Sequence, residues 1–412
     1  MTTEASISPT ADLHFHDDCT RAIQRLSEAT RAVYATLSLD IGKPQEAARA
    51  LAIDKNLAWK VSRMAMSTDP LSAATLVPGT EAIRILMQAL LRADAPASAI
   101  SALKEAADHF ETMVDNHAGD RASLQILLDG RSENADLENS RKLAFRGLAG
   151  LWGIQARVRS MIACVRPNEG DSSKLDMAIV GGLHDIRRMR QLEGWPLFRF
   201  QTYKGETYEP VGAEGSEPIE PAVSGDDPLL IVRSFCDPKV LPVRSVRGAT
   251  EIVHELTAGP IGRKGASTLV FGRLERATAN RFANLTTQDE YGEFNALINV
   301  PCESLLFDVV VHRSMAEVEN PEALVHGRPF GSMPLDAAAR EQLRLPIRER
   351  IRPVVGGPSR WGSDLCPRHS ELLHAVIARA GGPPTDYRVF RMEMDFPPMP
   401  STVTFRYRLP TR

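Results

Sequence analysis

Five side chains between positions 55 and 63 have the types and spacing to touch a nucleic-acid surface. Lys55, Asn56, Trp59, Lys60 and Arg63 recur at short helical intervals, so a helix through them carries all five on one outer side. An amide such as Asn56 can pair with the edge of adenine, and Lys55, Lys60 and Arg63 can donate to guanine or to phosphate. Upstream, Gln45 sits where a helix begins, and free backbone N–H groups there favour a phosphate.

Other constellations are sparser. A Gly-rich basic loop at 259–265 carries Arg263 and Lys264 and is a candidate anion-binding turn, although no Gly-Lys-Ser/Thr follows to make it a P-loop. Asp308 and His312 stand four apart in an apolar run, so on a strand they share a face and form a candidate acid–base pair. Cys366, His369 and His374 make an incomplete metal set, as do His14, His16, Asp17 and Asp18. No further ligand pattern completes either set, so no metal, no cofactor and no catalytic residue is assigned.

The elements that must position the first group read as two short helices. Pro44 suits a helix start, Gln45 and Glu46 fill a first turn, and Ala47, Ala48 and Leu51 share a face. Ala52, Ile53 and Asp54 make the corner, and Asp54 is placed to cap the second helix. Residues 44–64 thus resemble the helix-turn-helix of bacterial DNA-binding regulators. Ala48 matches the small residue of that pattern, and Leu51, Ile53, Ala58 and Val61 match its buried positions. The resemblance implies a second helix lying in the major groove of double-stranded DNA, with Gln45, Lys55, Asn56, Trp59, Lys60 and Arg63 as contacts.

Composition bounds the rest. A chain of 412 residues with 43% hydrophobic content can build two or three cores. The net charge of −3 excludes a globally basic nucleic-acid surface, so any basic face is local. Five scattered cysteines without a Cys-x-x-Cys fit free thiols in a reducing compartment. With no signal-peptide pattern and no apolar run of membrane-spanning length, a cytoplasmic protein without membrane attachment is expected.

The fold class expected is α+β: a helical N-terminal domain followed by a mixed part rich in antiparallel strands. Residues 1–18 read as a disordered tail and 19–148 as the helical domain, with amphipathic helices over 80–92 and 97–117. Residues 149–205 mix strand and helix, with Arg187, Arg188 and Arg190 on a solvated helix face or at an anion site. An acidic Gly/Pro-rich linker or loop spans 206–228, and an α+β domain spans 229–412. Arginines at 340, 344, 348 and 352 flank Pro346 within one or two short helices. Two closing strands, 387–396 and 401–409, suit a wide hairpin. A faint echo links 151–167 with 297–313: apolar start, polar middle, apolar run, basic end.

The function expected is a sequence-specific transcriptional regulator, a homodimer on a two-fold operator with a small-molecule effector or assembly contacts in its C-terminal part. The alternatives are an enzyme working around Asp308, His312, Arg263 and Lys264, or an assembly protein whose helical pair binds another protein.

Overall fold

The computed structural model describes residues 10–129, 137–200, 202–204, 209–212, 216–220, 230–237, 241–247, 252–283, 290–327 and 340–411. The chain divides into two compact units, Met1–Asp136 and Leu137–Arg412, and the fold is α+β. No described helix is long and apolar enough to cross a membrane.

The first unit is helical. Its elements are α1 (Thr10–Thr36), α2 (Pro44–Ala50), α3 (Lys55–Met66), α4 (Pro70–Leu76), α5 (Thr80–Arg92), α6 (Ala97–His117) and α7 (Arg121–Asp129). The boundaries of α5 and α6 coincide with the expected ones because each combines a sustained apolar stripe with a Pro or Gly just before its start. One apolar core gathers Ile23, Leu26 and Val33 of α1, Leu51 after α2, Leu57 and Val61 of α3, and Leu103 and Phe110 of α6. Helix α1 begins at Thr10, so the expected tail overlaps it; residues 1–9 lie outside the described residues.

The second unit opens with α8 (Leu137–Trp152), which the sequence reading had assigned to the helical domain. Its strands are β1 (Ile154–Pro167), β2 (Lys174–Arg188), β3 (Trp195–Phe200), β4 (Thr202–Lys204), β5 (Glu209–Gly212), β6 (Glu217–Pro218), β7 (Val243–Arg247), β8 (Ile252–Leu256), β9 (Ser267–Asn280), β10 (Tyr291–Ile298), β11 (Cys302–His312), β12 (Glu322–Gly327), β13 (Arg352–Pro353), β14 (Tyr387–Asp395) and β15 (Ser401–Arg408). A last helix, α9 (His369–Ala380), stops at Gly381 and Gly382, whose φ values of 116° and 90° a side chain would resist.

The main sheet runs β13-β14-β11-β1-β2-β9-β6. Its pairings are antiparallel except for β1 beside β11. One face packs Ile162, Val180 and Val310 against Leu373, Val376 and Ile377 of α9. The other face packs with the sheets β10-β15-β12 and β3-β8-β7 in a larger core that includes Met161, Leu183, Phe294, Phe307 and Phe405. Strands from both sides of the acidic stretch 206–228 therefore share one sheet, and its described part contributes β5 and β6. A domain boundary there is not what the pairing shows; the remainder of that stretch lies outside the described residues.

Three local expectations are corrected. Arg187 and Arg188 belong to β2 and not to a helix: Arg187 pairs with Asp185, while buried Arg188 donates to the Thr257 carbonyl. The closing strands form no hairpin, since β14 pairs with β11 and β15 lies between β10 and β12. Residues 342–351 are not helical; Arg340 holds Glu293 and Arg344 holds Glu341, while residues 328–339 lie outside the description. The echo between 151–167 and 297–313 has a structural counterpart. Its two strands lie side by side in parallel, Ala156 opposite Cys302 and Val165 opposite Val311.

Candidate functional site

Helix α3 takes its position from its own first turn. Asp54 Oδ1 accepts the backbone N–H groups of Asn56 at 2.8 Å and Leu57 at 3.3 Å, which satisfies donors that a helix start leaves open. The preceding corner closes α2 with the Ile53 N–H on the Ala48 carbonyl at 3.1 Å and the Ala52 N–H on Arg49 at 3.4 Å, a Schellman arrangement. That arrangement holds Ala52 at φ 51°, a left-handed conformation costly for any residue with a Cβ.

Leu57, Ala58, Val61, Met64 and Ala65 turn into the core, and Lys55, Asn56, Trp59, Lys60 and Arg63 are exposed. Trp59 is 47% exposed, with the Arg63 guanidinium 6.0 Å from its ring centre, close enough for a cation–π contact. Among the described residues none of Lys55, Lys60 and Arg63 forms an ion pair, and α3 carries no acidic side chain. Gln45 is exposed at the start of α2. There the N–H groups of Glu46 and Ala47 already bond to the Lys43 carbonyl, and the Glu46 carboxylate faces Lys43 at 3.3 Å, so little of that helix end is left for a phosphate.

A second cluster lies in the other unit, where the main sheet faces α9. Antiparallel pairing sets Ser160 of β1 opposite Gly182 of β2, and His184, two residues on, reaches back so that its Nε2 lies 2.8 Å from Ser160 Oγ. Gly182 permits this approach, because a Cβ at that position would collide with both Ser160 Oγ and His184 Nε2. Parallel pairing sets Asp308 of β11 beside Ile162, and β14 brings Arg391 opposite it. Arg391 donates Nε to Asp308 Oδ1 and Nη2 to Oδ2, each at 2.8 Å, and His369, the first residue of α9, places Nε2 2.7 Å from Oδ2.

Asp308 is fully buried. Burial alone would raise its pKa, but the Arg391 and His369 hydrogen bonds outweigh it and the carboxylate is held below its ordinary range. Burial, reinforced by the charges of His369, Arg157 and Arg159, lowers His184 to about 4. His369 is 1% exposed, and its Nδ1 has no hydrogen-bond partner. Leaving such an atom unsatisfied costs on the order of 1–3 kcal/mol.

A cavity of about 210 Å³ adjoins this cluster, lined by His184, Phe235, Cys236, Thr268, Cys366 and His369, among others. Burial raises Cys236 to about 11 and Cys366 to about 12, so both thiols stay protonated and neither is a nucleophile at neutral pH.

The other expected sites are not assembled. Arg263 and Lys264 lie exposed on a 3₁₀ turn and do not line the cavity. His312 bonds Ser314 Oγ through Nδ1 at 2.8 Å and meets Tyr387 edge-on, while Asp308 is committed to Arg391 and His369. Cys366 and His369 share the cavity without His374, and no group of three His, Cys, Asp or Glu among the described residues is arranged to hold a metal. The residues that sequence reasoning missed are Ser160, His184 and Arg391. The one signal for them was the Gly181-Gly182 pair inside a strand, which marks a close approach.

No protein-family model matches the chain, and no curated protein sequence does. Among solved structures, a mutant two-domain zinc metallopeptidase bound to L-tryptophan is similar at a TM-score of 0.21 and 10% identity, covering 61% of this chain and 43% of that one.

Proposed function

We propose that the chain is a DNA-binding regulator that reads duplex DNA through α3. The observation that carries this reading is the division of α3 itself: Leu57, Ala58 and Val61 are buried, and Lys55, Asn56, Lys60 and Arg63 stand exposed without a carboxylate on the helix to neutralise them. Together with the resemblance of residues 44–64 to a helix-turn-helix, that face suits the major groove, Asn56 to adenine and the cations to guanine or phosphate. Two copies would place two such helices on a two-fold operator, and a small-molecule effector would act by shifting the spacing of the pair. The enzymatic alternative built on Asp308, His312, Arg263 and Lys264 is not proposed, because those four side chains do not come together.

The test is selection of genomic fragments by the full-length chain, followed by a titration with the recovered duplex. Enrichment of a defined sequence supports the reading, and failure to retain any fragment above a non-specific background removes it. The double substitution Lys60→Ala with Arg63→Ala, with helical content retained, should weaken binding at least tenfold. Unchanged binding by that variant would overturn the assignment of these residues.

A further inference from the structure

We infer that the cavity beneath α9 binds a small, neutral, planar ligand carrying a hydrogen-bond acceptor beside an N–H donor, the chemistry of an aromatic amide or a lactam. The inference does not depend on what α3 contacts.

The argument begins with the protons on two imidazoles. His369 Nε2 faces the carboxylate of Asp308, which as an anion only accepts, so Nε2 carries the hydrogen. In the neutral ring Nδ1 is then a bare acceptor; it is buried, and nothing in the protein donates to it. On the other histidine, the Ser160 hydroxyl finds its acceptor in His184 Nε2. Donation in that direction satisfies the hydroxyl proton and leaves His184 as the Nδ1–H tautomer. His184 therefore brings a donor to the cavity and His369 an acceptor. Each ring is fixed through its other nitrogen, so the pair is preorganised for a ligand with the complementary edge.

The remaining walls select against charge and for a ring. Phe235, Pro367 and Leu372 are apolar, and the two thiols are neutral. Asp308 and Arg391 compensate each other, and Arg368 is engaged with Glu371 and the Ser234 carbonyl, so no buried free cation waits for an anion. The Arg368 guanidinium also lies 4.6 Å from the Phe235 ring centre, which fixes one wall. The volume of about 210 Å³ exceeds the roughly 150 Å³ of a void that accepts benzene, leaving room for one six-membered ring with an amide substituent.

The experiment titrates the full-length chain with benzamide, N,N-dimethylbenzamide and benzoate. Calorimetry gives the affinities, and ¹⁵N spectra follow the histidine side chains. Benzamide should bind at least tenfold tighter than either comparison compound, since both lack the N–H that Nδ1 of His369 requires and benzoate adds a charge. The Nδ1 resonances of His184 and His369 should both move. In His369→Gln, whose amide nitrogen can still donate to Asp308, the preference for benzamide over its dimethyl analogue should vanish. No benzamide binding at 10 mM, equal binding of benzamide and N,N-dimethylbenzamide, or binding that leaves both Nδ1 resonances in place would each overturn the proposal. The spectra of the unsubstituted chain decide this even where the variant fails to fold.

Discussion

Arg391 holds Asp308 in a two-pronged grip, Nε on one carboxylate oxygen and Nη2 on the other, each at 2.8 Å. The guanidinium also donates to the carbonyls of Trp361 and Gly362, which ties the strand pair β11–β14 to the loop that leads into α9. A buried pair of this kind contributes little over an apolar replacement, but one partner left alone is an uncompensated buried charge. Arg391→Met is therefore expected to lower the stability of the C-terminal unit by about 3–5 kcal/mol, with Asp308→Asn in the same background recovering part of the loss. Urea unfolding followed by tryptophan fluorescence checks both, and additive losses in the double variant would show that the two residues do not act as a pair.

Acid sensitivity has a definite window. Burial lowers both His184 and His254 to about 4, against roughly 6.5 in an unfolded chain. Between those values the unfolded state binds more protons, so stability is complete above about pH 6.5 and falls as pH drops toward 4. Each ring accounts for up to about 3 kcal/mol once both values are passed. His254→Gln should flatten the slope of stability against pH over that interval and leave the region above pH 7 flat. A slope unaltered by the substitution would mean that the ring is not buried neutral.

Ala52 is the strained point of the corner between α2 and α3, since its φ of 51° belongs to the left-handed region. Ala52→Gly relieves that strain at the cost of a more flexible unfolded chain, for a net gain of about 0.5–1 kcal/mol. Asp54→Ala removes the acceptor for two backbone N–H groups and should cost about 1 kcal/mol. Thermal melts of the two single variants should shift in opposite directions. Equal or inverted shifts would contradict the geometry of this corner.

How much of this was legible in the sequence depends on whether information was local. Helices α5 and α6 were readable to the residue because their apolar stripes and start signals lie within their own length. The exposed set on α3 followed from the same periodicity. Strand partners did not: alternation in β14 and β15 tells which side chains share a face, not which strand lies alongside, so neighbours in sequence were wrongly joined. The same limit hid the polar cluster. Asp308 and His312 do share a strand, but the partners of Asp308 come from α9 and β14, more than sixty residues away, and Ser160 meets His184 only across a long hairpin. The echo between the two halves was faint by residue class, yet it matches the register in which β1 and β11 pair.

The proposed contacts of α3 differ in kind, and salt separates them. A side chain that neutralises a phosphate releases a counterion, so log K falls with log salt by about 0.9 per contact. If Lys60 and Arg63 meet phosphates, their joint replacement by alanine should reduce that slope by about 1.8 and weaken all duplexes alike. Asn56 carries no charge and is exposed on the same helix, so Asn56→Ala should leave the slope unchanged and relax the preference at one adenine by about 1–3 kcal/mol. Trp59→Ala serves as the reference, since a ring 47% exposed at the surface of α3 supports little of the core and its loss should barely shift the melting temperature. A slope that is identical in all three variants would place the duplex, if one binds, away from this helix.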